Sequence, residues 1–216
     1  MSVLAYPSLT WQPRRVAQAI VSRFPAPAVV LDLGAGGNRL APHVKTVDFV
    51  PFDGTDYVSD VTETPFADNS VDLVVSTGVL EHVERDREMI REIHRILKPG
   101  GVAHIEIPFM QQYHEAPIDC RRLTRFGLEL LLKQHGFEVV DSGAHIGPTV
   151  AVITLLAYWL SMLFEGRGRV ARYLSGVAFM VASVVLWPLK FLDKLLIDKP
   201  SAHRLAFGVY CTARKI

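Results

Sequence analysis

The segment Ala28-Val-Val-Leu-Asp-Leu, running directly into Gly34-Ala-Gly-Gly, limits the folds open to this chain more than any other feature. An apolar run without alternation belongs to a strand buried on both faces, as in a parallel sheet. Glycines immediately after it permit a tight turn and a close approach of a ligand to the backbone. The strand signal recurs at Val44 to Val47, at Val71-Asp-Leu-Val-Val-Ser and at Val102 to Ile107. Between the last two, Val79 to Leu97 reads as a helix with Val83, Ile90, Ile93 and Leu97 on one face and Glu84, Arg85, Arg87, Glu88 and Arg91 opposite. Lys98-Pro-Gly-Gly is expected to stop it. Strands alternating with helices imply right-handed crossovers and a mostly parallel α/β sheet. Ligands of such sheets bind beyond the carboxyl ends of the strands.

Around this centre, Pro13 to Phe24 has helical spacing and is expected to lead into the sheet. Thr124 is placed to cap a helix reaching His135 and closed by Gly136, with a strand from Phe137 and a last strand over Ala206 to Ala213. The 216 residues suffice for one α/β core. With 23 Lys and Arg against 22 Asp and Glu, and no basic stripe interleaved with aromatics, nucleic acid is not an expected partner. Cys120 and Cys211 form no CxxC pair, which argues against a disulfide framework, and no His, Cys and Asp set has metal-ligand spacing, so no metal is expected. The start, Met1-Ser-Val-Leu-Ala-Tyr-Pro, lacks a basic region followed by an apolar run, and the catalytic part is expected in the cytoplasm.

Asp32, Gly34, Ala35 and Gly36 put a carboxylate beside a glycine turn, which suits a cationic ligand better than a pyrophosphate. A dinucleotide fingerprint would want a glycine where Arg39 stands. Asp32-Leu-Gly-Ala-Gly, Asp48, Asp60-Val61, Pro65-Phe-Ala-Asp-Asn-Ser-Val-Asp-Leu-Val, Val79-Leu-Glu-His-Val and Leu97-Lys-Pro-Gly-Gly occur in an order that resembles the class I S-adenosylmethionine-dependent methyltransferases, in their small-molecule, type 11-like branch. The resemblance implies a Rossmann-like, seven-stranded, mostly parallel sheet with helices on both faces and an antiparallel last strand. It implies S-adenosylmethionine as cofactor, held by Asp32, Gly34, Ala35, Gly36 and Ser76, with Asp48 on the ribose hydroxyls and Asp60 and Val61 at the adenine. The loop after the fifth strand resembles an H-x-x-P-x-D-x-x-R-x-T pattern of bacterial cell-envelope glycan branches, carried by His114, Pro117, Asp119, Arg122 and Thr124. His114 is then the expected base, Asp119 its orienting partner, His82 a neighbour of the ligands, and Tyr113 and Arg122 contacts of the acceptor. Alternatives are an Asp119–Arg122 pair that only shapes the loop, a packed His82, and Thr124 as a helix cap.

Mean hydropathy is +0.23, and the apolar excess lies between Gly147 and Ile197. Neither Gly147 to Phe164 nor Tyr173 to Leu189 contains Asp, Glu, Lys or Arg. Residues 147–200 are therefore read as a hydrophobic helical insert in a methyltransferase domain made of 1–146 and 201–216. Interfacial helices, with Arg167, Arg169 and Arg172 on anionic head groups, fit better than two spans, because arginines on the far side oppose the positive-inside tendency. Packing on the core or on a second copy is the other reading, so an oligomer through the insert is possible. A membrane-seeking element beside an acceptor loop suggests a hydroxyl of a glycan or lipid-linked envelope precursor, methylated at the inner face of a membrane. The alternatives are C-methylation of a lipid-soluble ring such as a quinone precursor, and a peripheral membrane protein that keeps the fold without turnover.

Overall fold

A computed structural model describes residues 14–114 and 118–216. The expectations for the first residues, for Pro13 and for Pro117 lie outside the described residues. Seven strands, β1 (Val30–Leu33), β2 (Lys45–Asp48), β3 (Tyr57–Val58), β4 (Val71–Thr77), β5 (Leu97–Pro108), β6 (Phe137–Ile146) and β7 (Gly208–Lys215), form one sheet in the order β3-β2-β1-β4-β5-β7-β6. The β1–β2, β1–β4, β2–β3 and β4–β5 pairs are parallel, and β7 runs antiparallel between β5 and β6. Strand order reverses at β1, so a crevice opens outside the carboxyl ends of β1 and β4.

Alternation of side chains along the strands supplies both faces. Val30, Leu73 and Val75 meet Ala17, Ile20 and Val21 of α1 (Arg15–Val21) on one face. On the other, Leu31, Leu33 and Ile105 belong to a core shared with α2 (Asp86–Ile96) and α3 (Arg125–Lys133). Met89, Ile90, Ile93 and Ile96 of α2 are all fully buried, worth roughly 2 kcal/mol each in transfer free energy. Thr124 caps α3, its hydroxyl accepting from the Gly127 amide at 3.0 Å.

One local expectation is corrected, the unbroken helix over Val79 to Leu97. Among the described residues, β1, β2 and β3 are joined by loops without a helix. Arg39 instead braces these loops, donating to Gly54 O at 2.9 Å, to Asp56 at 2.8 Å and to Val44 O. The helix expected over Val79 to Leu97 is split into a 3₁₀ turn, Leu80–His82, and α2, because Val83 is extended. Arg121 holds this break open by donating to the carbonyls of Val83 and Glu84, each at 3.0 Å. Lys98-Pro-Gly-Gly follows the end of α2 at Ile96, as expected, and forms the irregular start of β5. A Cβ at Gly101 would stand 2.8 Å from Lys98 O, so glycine is needed for that fold-back.

Between β6 and β7 lie α4 (Pro148–Met162), α5 (Arg169–Leu186), a 3₁₀ segment Trp187–Leu192, α6 (Asp193–Leu196) and a turn Ala202–Arg204. Val150 and Ala151 of α4 pack on Ile146 and Phe207 at the end of the sheet, with Met110 beside them. Asp193, fully buried, accepts from the Thr149 and Val150 amides at 2.8 and 3.1 Å and so caps α4 from another element. A carboxylate at this position satisfies orphan donors and opposes the positive end of the helix dipole.

Candidate active site

The polar residues singled out in the sequence converge on the carboxyl-end side of the sheet. Gly34 and Gly36 carry φ of +77° and +59°, conformations that only glycine adopts without strain. Gly34 also lies so close to the Val79 side chain that a Cβ would stand 2.3 Å from Cγ2, whereas beyond Gly36 there is open space within 4 Å. Asp32 is 3% exposed, and its Oδ1 has no hydrogen-bond partner among the described residues. Burial pushes its pKa up to about 7. An orphaned, buried carboxyl beside an open glycine cradle fits a ligand that brings positive charge and N–H donors.

Asp48 accepts from the Gly36 amide at 2.8 Å and from Val50 N at 3.0 Å, which joins the ends of β1 and β2. Each of its oxygens retains a further lone pair for a hydroxyl donor. Asp60 accepts from the amide and hydroxyl of Thr62 at 2.8 and 2.7 Å and pairs with Arg85 at 3.2 Å. Those bonds, the Thr62 amide first, hold its carboxyl below the usual range. Val61 is buried in the main core. Ser76 is fully enclosed and donates to Leu33 O at 3.1 Å, tying β4 to β1.

A crevice of about 290 Å³ lies beyond β4, β5 and β6, with Arg14, Thr77, Gly78, Glu81, Glu106 and His145 on its wall. Sequence reasoning missed Glu81, Glu106 and His145. The available signal was a charged residue inside an apolar strand, since a buried carboxylate demands partners. Glu106, 1% exposed, stands 3.1 Å from Nε2 of His104 and 3.1 Å from Nδ1 of His145. Burial alone would raise its pKa, but the two imidazoles outweigh that and take it down to about 2. A larger cavity of about 550 Å³, lined by Arg91, His94, Arg95, Gln134 and His135, lies by the last turns of α2 and α3, which lead into the amino ends of β5 and β6.

His82 and His114 approach edge to face, with ring centroids 5.1 Å apart. His82 donates through Nδ1 to the Ile118 carbonyl, and its Nε2 lies 3.7 Å from Glu81 Oε1. His114 Nδ1 is 3.3 Å from Asp119 Oδ2, and the His114 backbone amide donates to the same oxygen at 2.9 Å. Arg122 donates to both Asp119 oxygens and to the carbonyls of Gln111 and Gln112. The Arg122 guanidinium holds Asp119 down to about 2. Asp119 thus both ties the loop and faces His114. Tyr113 is exposed on an open groove with Cys120 and Arg121. Linear spacing hid one grouping: Glu81, His82 and His114 bring one ligand atom each to within 4.8 Å of the others.

Residues 38–105 match the protein family described as "Methyltransferase domain". The chain is 34% identical over 89 residues to a probable S-adenosylmethionine-dependent methyltransferase of Mycolicibacterium smegmatis, a stretch that is 38% of this chain and 35% of the relative. The chain thus spans about a third of that relative's length. Among solved structures, the 1,6-didemethyltoxoflavin-N1-methyltransferase of Burkholderia thailandensis, with S-adenosylhomocysteine bound, aligns over 94% of this chain and 78% of its own with a TM-score of 0.58 and 20% identity. The cyclase SpnF aligns over 93% of this chain and 80% of its own, with a TM-score of 0.56 and 18% identity. These likenesses carry the fold, and chemistry must be argued from the residues.

Proposed function

We propose that this chain, a class I S-adenosylmethionine-dependent methyltransferase by its fold and matched domain, methylates a hydroxyl of an amphipathic acceptor, a glycan or lipid-linked envelope precursor, at the cytoplasmic face of a membrane. Asp32 would meet the cationic end of S-adenosylmethionine, Asp48 the ribose hydroxyls, Gly34, Ala35 and Gly36 the space between them, and Asp60 and Val61 the adenine side. The cofactor, when bound, supplies a methyl group on a positively charged sulfur, open to in-line displacement. The protein's task is then to orient the acceptor and exclude water. His114, facing Asp119, would receive the hydroxyl proton, a contribution of roughly a hundred- to ten-thousand-fold. Tyr113 and Arg122 would guide the acceptor.

One observation carries the acceptor reading: the crevice and the insert share a wall. Ile146 and Phe207 line the crevice and are also the residues on which α4 packs. Away from that wall the insert bares apolar side chains, among them Trp159 at 56%, Leu163 at 61%, Val185 at 68% and Leu195 at 69% exposed. An apolar surface this extensive, rimmed by the exposed Arg167, Arg169 and Arg172, favours an anionic lipid surface. The 28-residue run Arg169–Leu196 is long and apolar enough to cross a membrane. α4, at 15 residues, reaches only about 22 Å against the roughly 30 Å of a bilayer core. That mismatch, and the tether from Asp193 to the start of α4, favour helices lying in the interface over a spanning pair. Flotation with anionic phosphatidylglycerol vesicles tests this reading. The intact chain should float, and Trp159→Asp with Val185→Asp should stay in the aqueous fraction. A chain that stays down and elutes as a dimer would assign the apolar face to a second copy and refute membrane contact.

A further inference from the structure

Glu81, His82 and His114 are 33 positions apart at most in sequence, yet the fold sets one ligand atom of each within 4.8 Å of the others. We propose that they bind one divalent first-row transition ion on the acceptor side of the crevice. The donor types are two imidazoles and one carboxylate, a set that takes borderline ions and leaves coordination positions open.

Two independent features of the residues support it. Glu81 is 2% exposed, lines the crevice, and its Oε2 has no hydrogen-bond partner among the described residues. A buried, unpartnered carboxylate oxygen is costly unless something positive meets it. The second feature is tautomer control at His82. A carbonyl only accepts, so the contact with Ile118 O fixes the proton on Nδ1 and leaves the Nε2 lone pair on the side of Glu81, 3.7 Å away. Orientation of a ligand histidine by a carbonyl behind it is a usual support of a metal site. Bound ligands lie about 2.0 to 2.2 Å from such an ion, so the three atoms, within 4.8 Å of one another, would draw closer on binding.

The site rests on the methyl-transfer reading for its use. The ion would hold the acceptor's hydroxyl oxygen and lower its pKa. The O–H bond gives its proton to water, the oxygen forms a bond to the methyl carbon, and the carbon–sulfur bond breaks with its electron pair left on S-adenosylhomocysteine. With the ion in place His114 is a ligand, and the ion does the work assigned to a base in its absence.

The test is isothermal titration of the full chain with Zn²⁺ and with Mn²⁺, without acceptor, alongside a separate titration with S-adenosylmethionine. One ion per chain should bind, and His82→Ala and His114→Ala should each weaken binding by about tenfold or more. His114 is 29% exposed, so its substitution leaves the core intact. Absence of ion binding, or binding that survives both substitutions, overturns the proposal. If S-adenosylmethionine still binds the intact chain in that case, the metal site alone falls; if S-adenosylmethionine fails to bind, the methyltransferase reading beneath it falls.

Discussion

Asp193→Ala should loosen the helical insert without dissolving the sheet. The carboxylate accepts from Thr149 N at 2.8 Å and from Val150 N at 3.1 Å, and Asp193 is fully buried. A charged hydrogen bond contributes about 1.5 to 3 kcal/mol, and loss of a helix cap costs about 0.5 to 2. These describe one interaction from two sides, so they do not add. The Val150 amide is buried and gains no water when its acceptor goes, which places the cost near the upper end, roughly 3 kcal/mol. Asp193→Asn keeps one acceptor oxygen and should lose about half of that. Hydrogen exchange over residues 148–162, with urea unfolding in parallel, reads both changes. Protection of α4 should fall by about two orders of magnitude in Asp193→Ala while α2 and β4 keep theirs. Unchanged α4 protection would refute the view that Asp193 anchors the insert.

Other predictions concern the loops and the crevice. Asp56, held down to about 2 by Arg39 first and Thr46 next, should contribute stability, no more than about 1 kcal/mol once solvent screens this exposed pair, that is present above its usual pKa of 3.8 and lost as pH falls through about 2; acid titration of Arg39→Gln should show that dependence reduced. Gly34→Ala meets both a φ of +77° and the Val79 side chain at 2.3 Å, so it should abolish S-adenosylmethionine binding and lower Tm, whereas Gly36→Ala, with open space around its Cβ, should cost stability only through its φ. A Cβ at Gly208 would stand 2.1 Å from Nε2 of His145. Gly208→Ala should therefore displace His145 from Glu106, and imidazole proton resonances of His145 should shift; unchanged resonances would contradict the packing described.

The central sheet was legible in the sequence because parallel strands are continuous apolar runs and because glycine turns mark their carboxyl ends. The antiparallel final pair followed from the family resemblance rather than from spacing. What escaped was set by long-range partners. Arg121 breaks the helix at Val83 from 38 residues away, and no local pattern encodes such a contact. The brace at Arg39 was not legible either, since it depends on Gly54 and Asp56 folding back. Among site residues, Asp32, Asp48 and the glycines stood out through type and position. Glu106 and His145 did not, because each looks like an ordinary strand residue until the sheet places one against the other. Glu81 was read only as part of a motif, although its burial gives it an unpaired oxygen.

The most direct test of the account is transfer of labelled methyl from S-adenosylmethionine to a cell-envelope extract, partitioned between organic and aqueous phases, with Asp48→Ala matched for folding. The account predicts label in the organic phase with the intact chain and none with Asp48→Ala. Label confined to the aqueous phase would remove the lipid-linked acceptor and keep the enzyme. No label and no cofactor binding by the intact chain would contradict the central claim that this protein is a methyltransferase.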